Sequence, residues 1–128
     1  MKMTKDIILN IPQDCDNAPK RRVIRDFIIA FYQNDWEAIN DKLEDIFSFT
    51  IVGNRTIKTK EDLKEYLYRD IDVIELTIYD VLSHGKYGAC NGCLKTRNEE
   101  ISFAYFFHFQ SAGKNGVSAI SEYMIASH

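Results

Sequence analysis

The stretch Ile101-Ser102-Phe103-Ala104-Tyr105-Phe106-Phe107-His108-Phe109-Gln110 decides the fold. Phe103, Tyr105, Phe107 and Phe109 recur every second residue, the period of a β-strand with one buried face. Phe106 falls on the opposite face, so both faces read as apolar. One of them has to meet the rest of the chain, and the other needs a second cover. A partner subunit's sheet would supply it, so a homodimer through the outer face of the sheet is expected.

Working outward, Tyr87–Thr96 and Val117–Ala126 are β-rich runs on either side of this strand. They are joined to it by Arg97–Glu100 and by Ser111–Gly116, whose Gly113 and Gly116 suit a hairpin. Short connections make such neighbours antiparallel. A further run, Val73–Leu82, alternates Ile74, Leu76, Ile78 and Leu82 with Glu75, Thr77 and Tyr79. The back half of the chain therefore reads as a sheet.

The front half reads differently. Ile24, Phe27, Ile28 and Phe31 follow the i, i+3, i+4, i+7 spacing of one buried helix face, with Val23 beside them. Asp16 or Asn17 can cap that helix, Pro19 is tolerated in its first turn, and it runs to about Gln33. Asn34 with Glu37 reads as a capping box over a second helix carrying Trp36, Ile39 and Leu43. Ile46–Val52 alternates Phe47, Phe49 and Ile51 with Ser48 and Thr50, a half-buried strand that Gly53-Asn54 ends. Thr59 with Asp62 caps a short third helix bearing Leu63, Tyr66 and Leu67. The fold class is α+β, with three N-terminal helices packed on a mostly antiparallel β-sheet. Residues 1–17 form an N-terminal arm that packs locally, and residues 18–128 form the domain.

Composition narrows the function. At 128 residues and 45% hydrophobic content the chain can bury one real core. A net charge of −3 and a pI near 5.6 lack the basic excess that phosphate contacts require, so nucleic acid is not expected as a partner. Lys20, Arg21, Arg22 and Arg25 cluster at a helix start, where they read as a solvated face. No apolar run reaches the roughly 18 residues of a membrane span, and Ile7–Leu9 is too short for a signal-peptide core. Cys15, Cys90 and Cys93 are too few for a disulfide framework, which makes the cytoplasm the expected compartment.

The order helix, helix, strand, helix and four strands, with Asn34-Asp35-Trp36 at the first corner and Gly113…Val117-Ser118-Ala119-Ile120-Ser121-Glu122-Tyr123 at the end, resembles the nuclear transport factor 2-like superfamily. SnoaL-like polyketide cyclases and ketosteroid isomerases belong to that group. The resemblance spans about residues 18–126 and implies a cone-shaped fold: a curved sheet whose concave face and helices enclose a pocket, and frequently a dimer through the convex face. It does not imply one activity. The isomerase mechanism needs a carboxylate base and an oxyanion hole built from a tyrosine and a protonated aspartic acid. Aligned on Asp35, those positions are held by Ile51, Phe27 and Tyr105, and neither isoleucine nor phenylalanine can move a proton.

The resemblance places Glu122 in the pocket with Ile120 and Met124; the opposite register would put Tyr123 there instead. A carboxylate in an apolar cone is pushed towards general acid or base chemistry near neutral pH. Glu122 and Tyr105 are therefore the candidate catalytic residues, with Tyr32, Trp36, Phe49, Asn91, Phe107, Ile120 and Met124 as candidate pocket lining. Core packing accounts for the same apolar residues equally well. His84 and His108 have no evident partner. Cys90-Asn91-Gly92-Cys93 has a Cys-x-x-Cys spacing, but within a strand its thiols point to opposite faces; only an Asn91-Gly92 hairpin turn would bring them together. With no second ligand pair, no zinc site is expected, and neither a metal nor a cofactor is assigned. The expected function is binding of a small, largely apolar molecule, with acid/base catalysis as an extension of it. The alternative is a non-catalytic homodimeric interaction module whose cone is packed core.

Overall fold

The computed structural model describes residues 5–12 and 18–126. The expected caps Asp16 and Asn17, together with Cys15 and His128, lie outside the described residues.

The first helix, α1 (Pro19–Tyr32), starts after Ala18, which makes no side-chain cap, and has proline in its first turn. Its expected stripe is the core: Ile24, Phe27, Ile28 and Phe31 are all at most 1% exposed. Each such side chain contributes about 1.5–3 kcal/mol when fully buried, so packing holds this helix in place of the absent cap. At its end Gln33 still donates its N–H to Ile29, and Asn34 then takes a left-handed conformation (φ 61°). Asparagine tolerates that region better than most residues. The expectation that Asn34 caps the second helix is thereby corrected. With Asn34 used to turn the chain, Asp35 is the cap of α2 (Trp36–Lys42), accepting from the Ala38 N–H at 3.3 Å. Leu43 is also reassigned: its extended backbone opens a strand and does not continue the helix.

The strands are β1 (Ile8–Asn10), β2 (Leu43–Ile51), β3 (Arg55–Ile57), β4 (Val73–His84), β5 (Tyr87–Thr96), β6 (Glu100–Ser111) and β7 (Lys114–Ala126). The third helix, α3 (Lys60–Leu67), is capped by Thr59 accepting from the Asp62 N–H, as its sequence signature predicts. The three helices among the described residues precede residue 68, but β2 and β3 separate α3 from α1 and α2, so they do not form one front block. Among the described residues all seven strands join in a single sheet, ordered β1-β4-β5-β6-β7-β2-β3. Four neighbouring pairs are antiparallel; β1 with β4 and β2 with β7 are parallel. Strands β1 and β3 have no counterpart in the sequence reading: each is three residues long, too short to show a period.

The alternation expected for Val73–Leu82 fails at both ends. Val73, Leu76, Ile78 and Val81 are buried, whereas Ile74 and Leu82 are exposed. Register shifts between Val73 and Glu75 and between Ile78 and Asp80 explain this, since each extra residue flips the following side chains to the other face. Gly92 sits opposite the second shift. A Cβ there would press into the Thr77 carbonyl oxygen and the Phe103 ring.

The inner face of β6 carries Ile101, Phe103, Tyr105, Phe107 and Phe109, each at most 8% exposed. Its outer face is less apolar than the sequence indicates. Phe106 is half-exposed there, while Ser102, His108 and Gln110 are polar and exposed.

Candidate functional site

Register across the sheet puts four inward residues in one row: Ile51, Glu122, Tyr105 and Cys90 are cross-strand partners on β2, β7, β6 and β5. Glu122 is 2% exposed and Tyr123 is 42% exposed, so the glutamate faces the core and the tyrosine faces outward. Within the core, Glu122 does not lack partners. Tyr105 donates its hydroxyl to Oε2 at 2.6 Å, and Tyr66, reaching in from α3, donates to Oε1. Tyr32, on the last turn of α1, is hydrogen-bonded to the Tyr105 hydroxyl. Because Tyr105 gives its proton to the carboxylate, it accepts from Tyr32. The result is a directed chain, Tyr32 to Tyr105 to Glu122, with Tyr66 closing it from the other side.

The three hydroxyls are held as donors by their surroundings. Burial raises the Tyr32 and Tyr105 pKa values well above the ordinary tyrosine range, and the adjacent Glu122 charge raises them further. Tyr66 is raised for the same two reasons in the same order. A hydrogen bond to a charged group is worth about 1.5–3 kcal/mol net, and leaving such a group unpaired inside a core costs more. The cluster is therefore self-consistent, yet a set of apolar residues of similar volume would serve stability as well or better.

Aromatic rings surround it. Phe31 stacks on Phe49 with ring centroids 5.5 Å apart, and the Tyr66 ring lies 5.8 Å from Phe49. Tyr32, Phe49, Phe107 and Ile120 are all at most 3% exposed. Trp36 and Met124 are half-buried and pack against the core, and so does Tyr66, which makes Tyr66 the member of the cluster nearest solvent. Asn91 does not line this interior. It is exposed on the outer face, and its side-chain oxygen accepts from the Asp80 N–H. The physical reason is parity: Cys90 points in, so its neighbour points out. For the same reason Cys90 is buried while Cys93 is only partly so, on the opposite face of an uninterrupted strand, and Asn91-Gly92 makes no hairpin turn. Burial pushes the Cys90 thiol up to about 12. His84 and His108 are both exposed, and His108 packs edge-on against Tyr87 at 5.0 Å.

Two residues of the site carry no mark in the sequence. Tyr66 reads there only as part of the apolar stripe of α3, although a tyrosine beside Leu63 and Leu67 brings a hydroxyl that needs a partner once buried. Arg69 follows the helix. Its guanidinium lies 3.9 Å over the Tyr66 ring and 5.6 Å from the Phe31 ring, and Nη1 donates to the Tyr66 carbonyl at 2.9 Å.

No protein-family model matches the chain, and no curated protein is similar to it. Solved structures are similar in fold. A nuclear transport factor 2-like protein of unknown function from Burkholderia xenovorans superposes with a TM-score of 0.74 at 10% identity, over 89% of this chain and 88% of that one. A hypothetical protein from Catenulispora acidiphila with a ketosteroid isomerase-like fold, in complex with trimethylamine, gives 0.65 at 11% identity over 79% and 83%. An LEH-like epoxide hydrolase of M. tuberculosis gives 0.62 at 17% identity over 84% and 83%. The chain has the nuclear transport factor 2-like fold.

Proposed function

We propose that this protein binds a small, largely apolar molecule beside Glu122, and that Glu122 and Tyr105 act there as the acid/base and hydrogen-bonding pair. The observation that carries this is the tyrosine-held carboxylate. Four polar side chains are committed to a place where apolar ones would suffice for folding. Among similar structures, one is described as an epoxide hydrolase and another holds trimethylamine, so the fold accommodates both catalysis and small ligands.

Tyr66 is the member a ligand would displace. It is half-buried, whereas Tyr105 is fully buried and Tyr32 is 3% exposed. A ligand that displaces its hydroxyl gains access to Oε1, while Tyr105, backed by Tyr32, steadies Oε2. Glu122 can then take a proton from the ligand or share one with it, and the buried hydroxyls hold the carboxylate in place. Trp36, Met124 and the Phe49 ring supply apolar contact around it. The test is a small-molecule panel followed by ligand-observed NMR on wild type and on Glu122→Gln. Loss or marked weakening of binding in the variant is expected. Ligands that bind both proteins equally remove Glu122 from the site.

The outer face of the sheet supports a second role, self-association through the convex side. Leu82 (65% exposed), Tyr87, Phe106, Tyr123 and Ile125 (73%) all lie there, and Phe106 packs edge-on to Tyr123 at 5.7 Å. A homodimer would cover them. No helix among the described residues is long and apolar enough to cross a membrane. The free thiols Cys90 and Cys93 suit a reducing cytoplasm. If the cone binds nothing, this face carries the function and the protein is a homodimeric interaction module.

A further inference from the structure

Arg69 is the polar residue of the site that its own neighbours leave incomplete. A guanidinium carries five N–H donors in a rigid fork. In Arg69 one terminal nitrogen, Nη1, donates to the Tyr66 carbonyl, and the plane rests on the Tyr66 and Phe31 rings. The other, Nη2, is buried and has no hydrogen-bond partner among the described residues. Buried donors are almost always satisfied, and an orphan on a charged group is the costliest kind.

The location gives the orphan a meaning. Tyr66 links Arg69 directly to Glu122: the guanidinium covers its ring and the carboxylate takes its hydroxyl. Phe31, the second ring under the guanidinium, also faces Tyr105 and Tyr32. The positive charge reaches the same groups, favouring the ionised forms of Tyr32 and Tyr66 against the larger effect of burial. An anion brought to Nη2 would complete the fork next to Tyr66, the half-buried member of the cluster.

We propose that Arg69 is an anion-recognising residue and that the ligand is a small organic acid. Its carboxylate pairs with Nη2, its apolar body lies along the half-buried Tyr66 ring, and an uncharged part reaches Glu122. This rests on the ligand-binding reading of the cone given above and adds the chemical class. It also explains why the site holds opposite charges without a direct ion pair between Arg69 and Glu122: each is reserved for a different end of one molecule.

The experiment compares acids with their uncharged isosteres. Phenylacetate, benzoate and hexanoate, each beside its amide, are titrated into the wild-type protein with binding read by ligand-observed NMR. At least one acid is expected to bind tenfold or more tighter than its amide, and Arg69→Gln is expected to erase that preference. Arg69→Lys, which keeps the charge but loses the fork and the stacking, retains part of it. Thermal midpoints confirm that the variants fold, and the wild-type comparison decides the question even if they do not. Acids that bind no tighter than amides overturn the proposal and leave the pocket standing. The proposal is equally overturned if none of the six binds while neutral panel molecules do. If nothing of either kind binds wild type, the pocket reading falls as well.

Discussion

Replacing Tyr105 with phenylalanine removes one oxygen atom and breaks two hydrogen bonds in a fully buried place. The hydroxyl donates to Glu122 Oε2 at 2.6 Å and accepts from Tyr32, so its loss orphans both a carboxylate oxygen and a phenol. At about 1–3 kcal/mol for each unsatisfied buried group, and more for the charged one, the cost is about 3–5 kcal/mol. Tyr32→Phe, by contrast, removes only the end of the chain and leaves Tyr105 bonded to Glu122; about 1 kcal/mol is expected. In the double variant Tyr32 can no longer be orphaned, so the two changes should cost about 1–3 kcal/mol less than their sum. Urea unfolding of the four proteins, extrapolated to water, measures all three quantities. A Tyr105→Phe cost no larger than that of Tyr32→Phe, or strict additivity in the double variant, would refute the directed chain.

Three further outcomes follow from the same structure. Tyr32, Tyr66 and Tyr105 have raised pKa values when folded, so the unfolded chain releases these protons first. Their stabilisation is complete below the unfolded tyrosine value of about 10 and is lost as pH climbs from there through the folded values. Buried Tyr32 and Tyr105 should each add up to about 1.4 kcal/mol per pH unit to the decline. Tyrosinate absorbance should rise for these rings together with unfolding, and smooth ionisation of all tyrosines in the folded protein would contradict their burial. Gly92→Ala should destabilise by about 1–3 kcal/mol, because its methyl group meets the Thr77 backbone and the Phe103 ring; an unchanged thermal midpoint would show that β4 gives way there. Phe106→Glu should convert a sedimenting dimer to monomer with little loss of stability, since the side chain is half-exposed; wild type that sediments as a monomer at micromolar concentration removes the dimer.

What the sequence discloses here is periodic, and what it conceals is long-range. The α1 stripe and the inner aromatic ladder of β6 repeat at fixed intervals, so their buried faces can be counted off along the chain. Where the period slips, the reading slips with it. The irregularities in β4 moved Leu82 to the surface, and nothing in Val73–Leu82 announces them. Asn91 shares its face with Cys93, and strand parity alone does not say which face of β5 turns inward; the pairing of Cys90 with Tyr105 decides it. The site was half-legible. Glu122 and Tyr105 come into view through the resemblance, which sets the glutamate in the cone and aligns Tyr105 with the acidic donor of the isomerases. The choice between Glu122 and Tyr123 turns on registering β7 against β6 and β2. Tyr66 is 56 residues from the carboxylate it serves, and that pairing exists only once α3 has been folded over the sheet.

Native mass spectrometry of freshly purified protein, repeated after denaturation to release and weigh anything carried along, shows whether a molecule other than the protein belongs beside Glu122. A stoichiometric small molecule is expected on the wild-type protein, acidic by its accurate mass and fragmentation, and absent or depleted from Glu122→Gln. A wild-type protein that carries nothing, and that acquires nothing from the acid, amide and neutral panels, would contradict it and make the tyrosine-held carboxylate a structural element of a closed core.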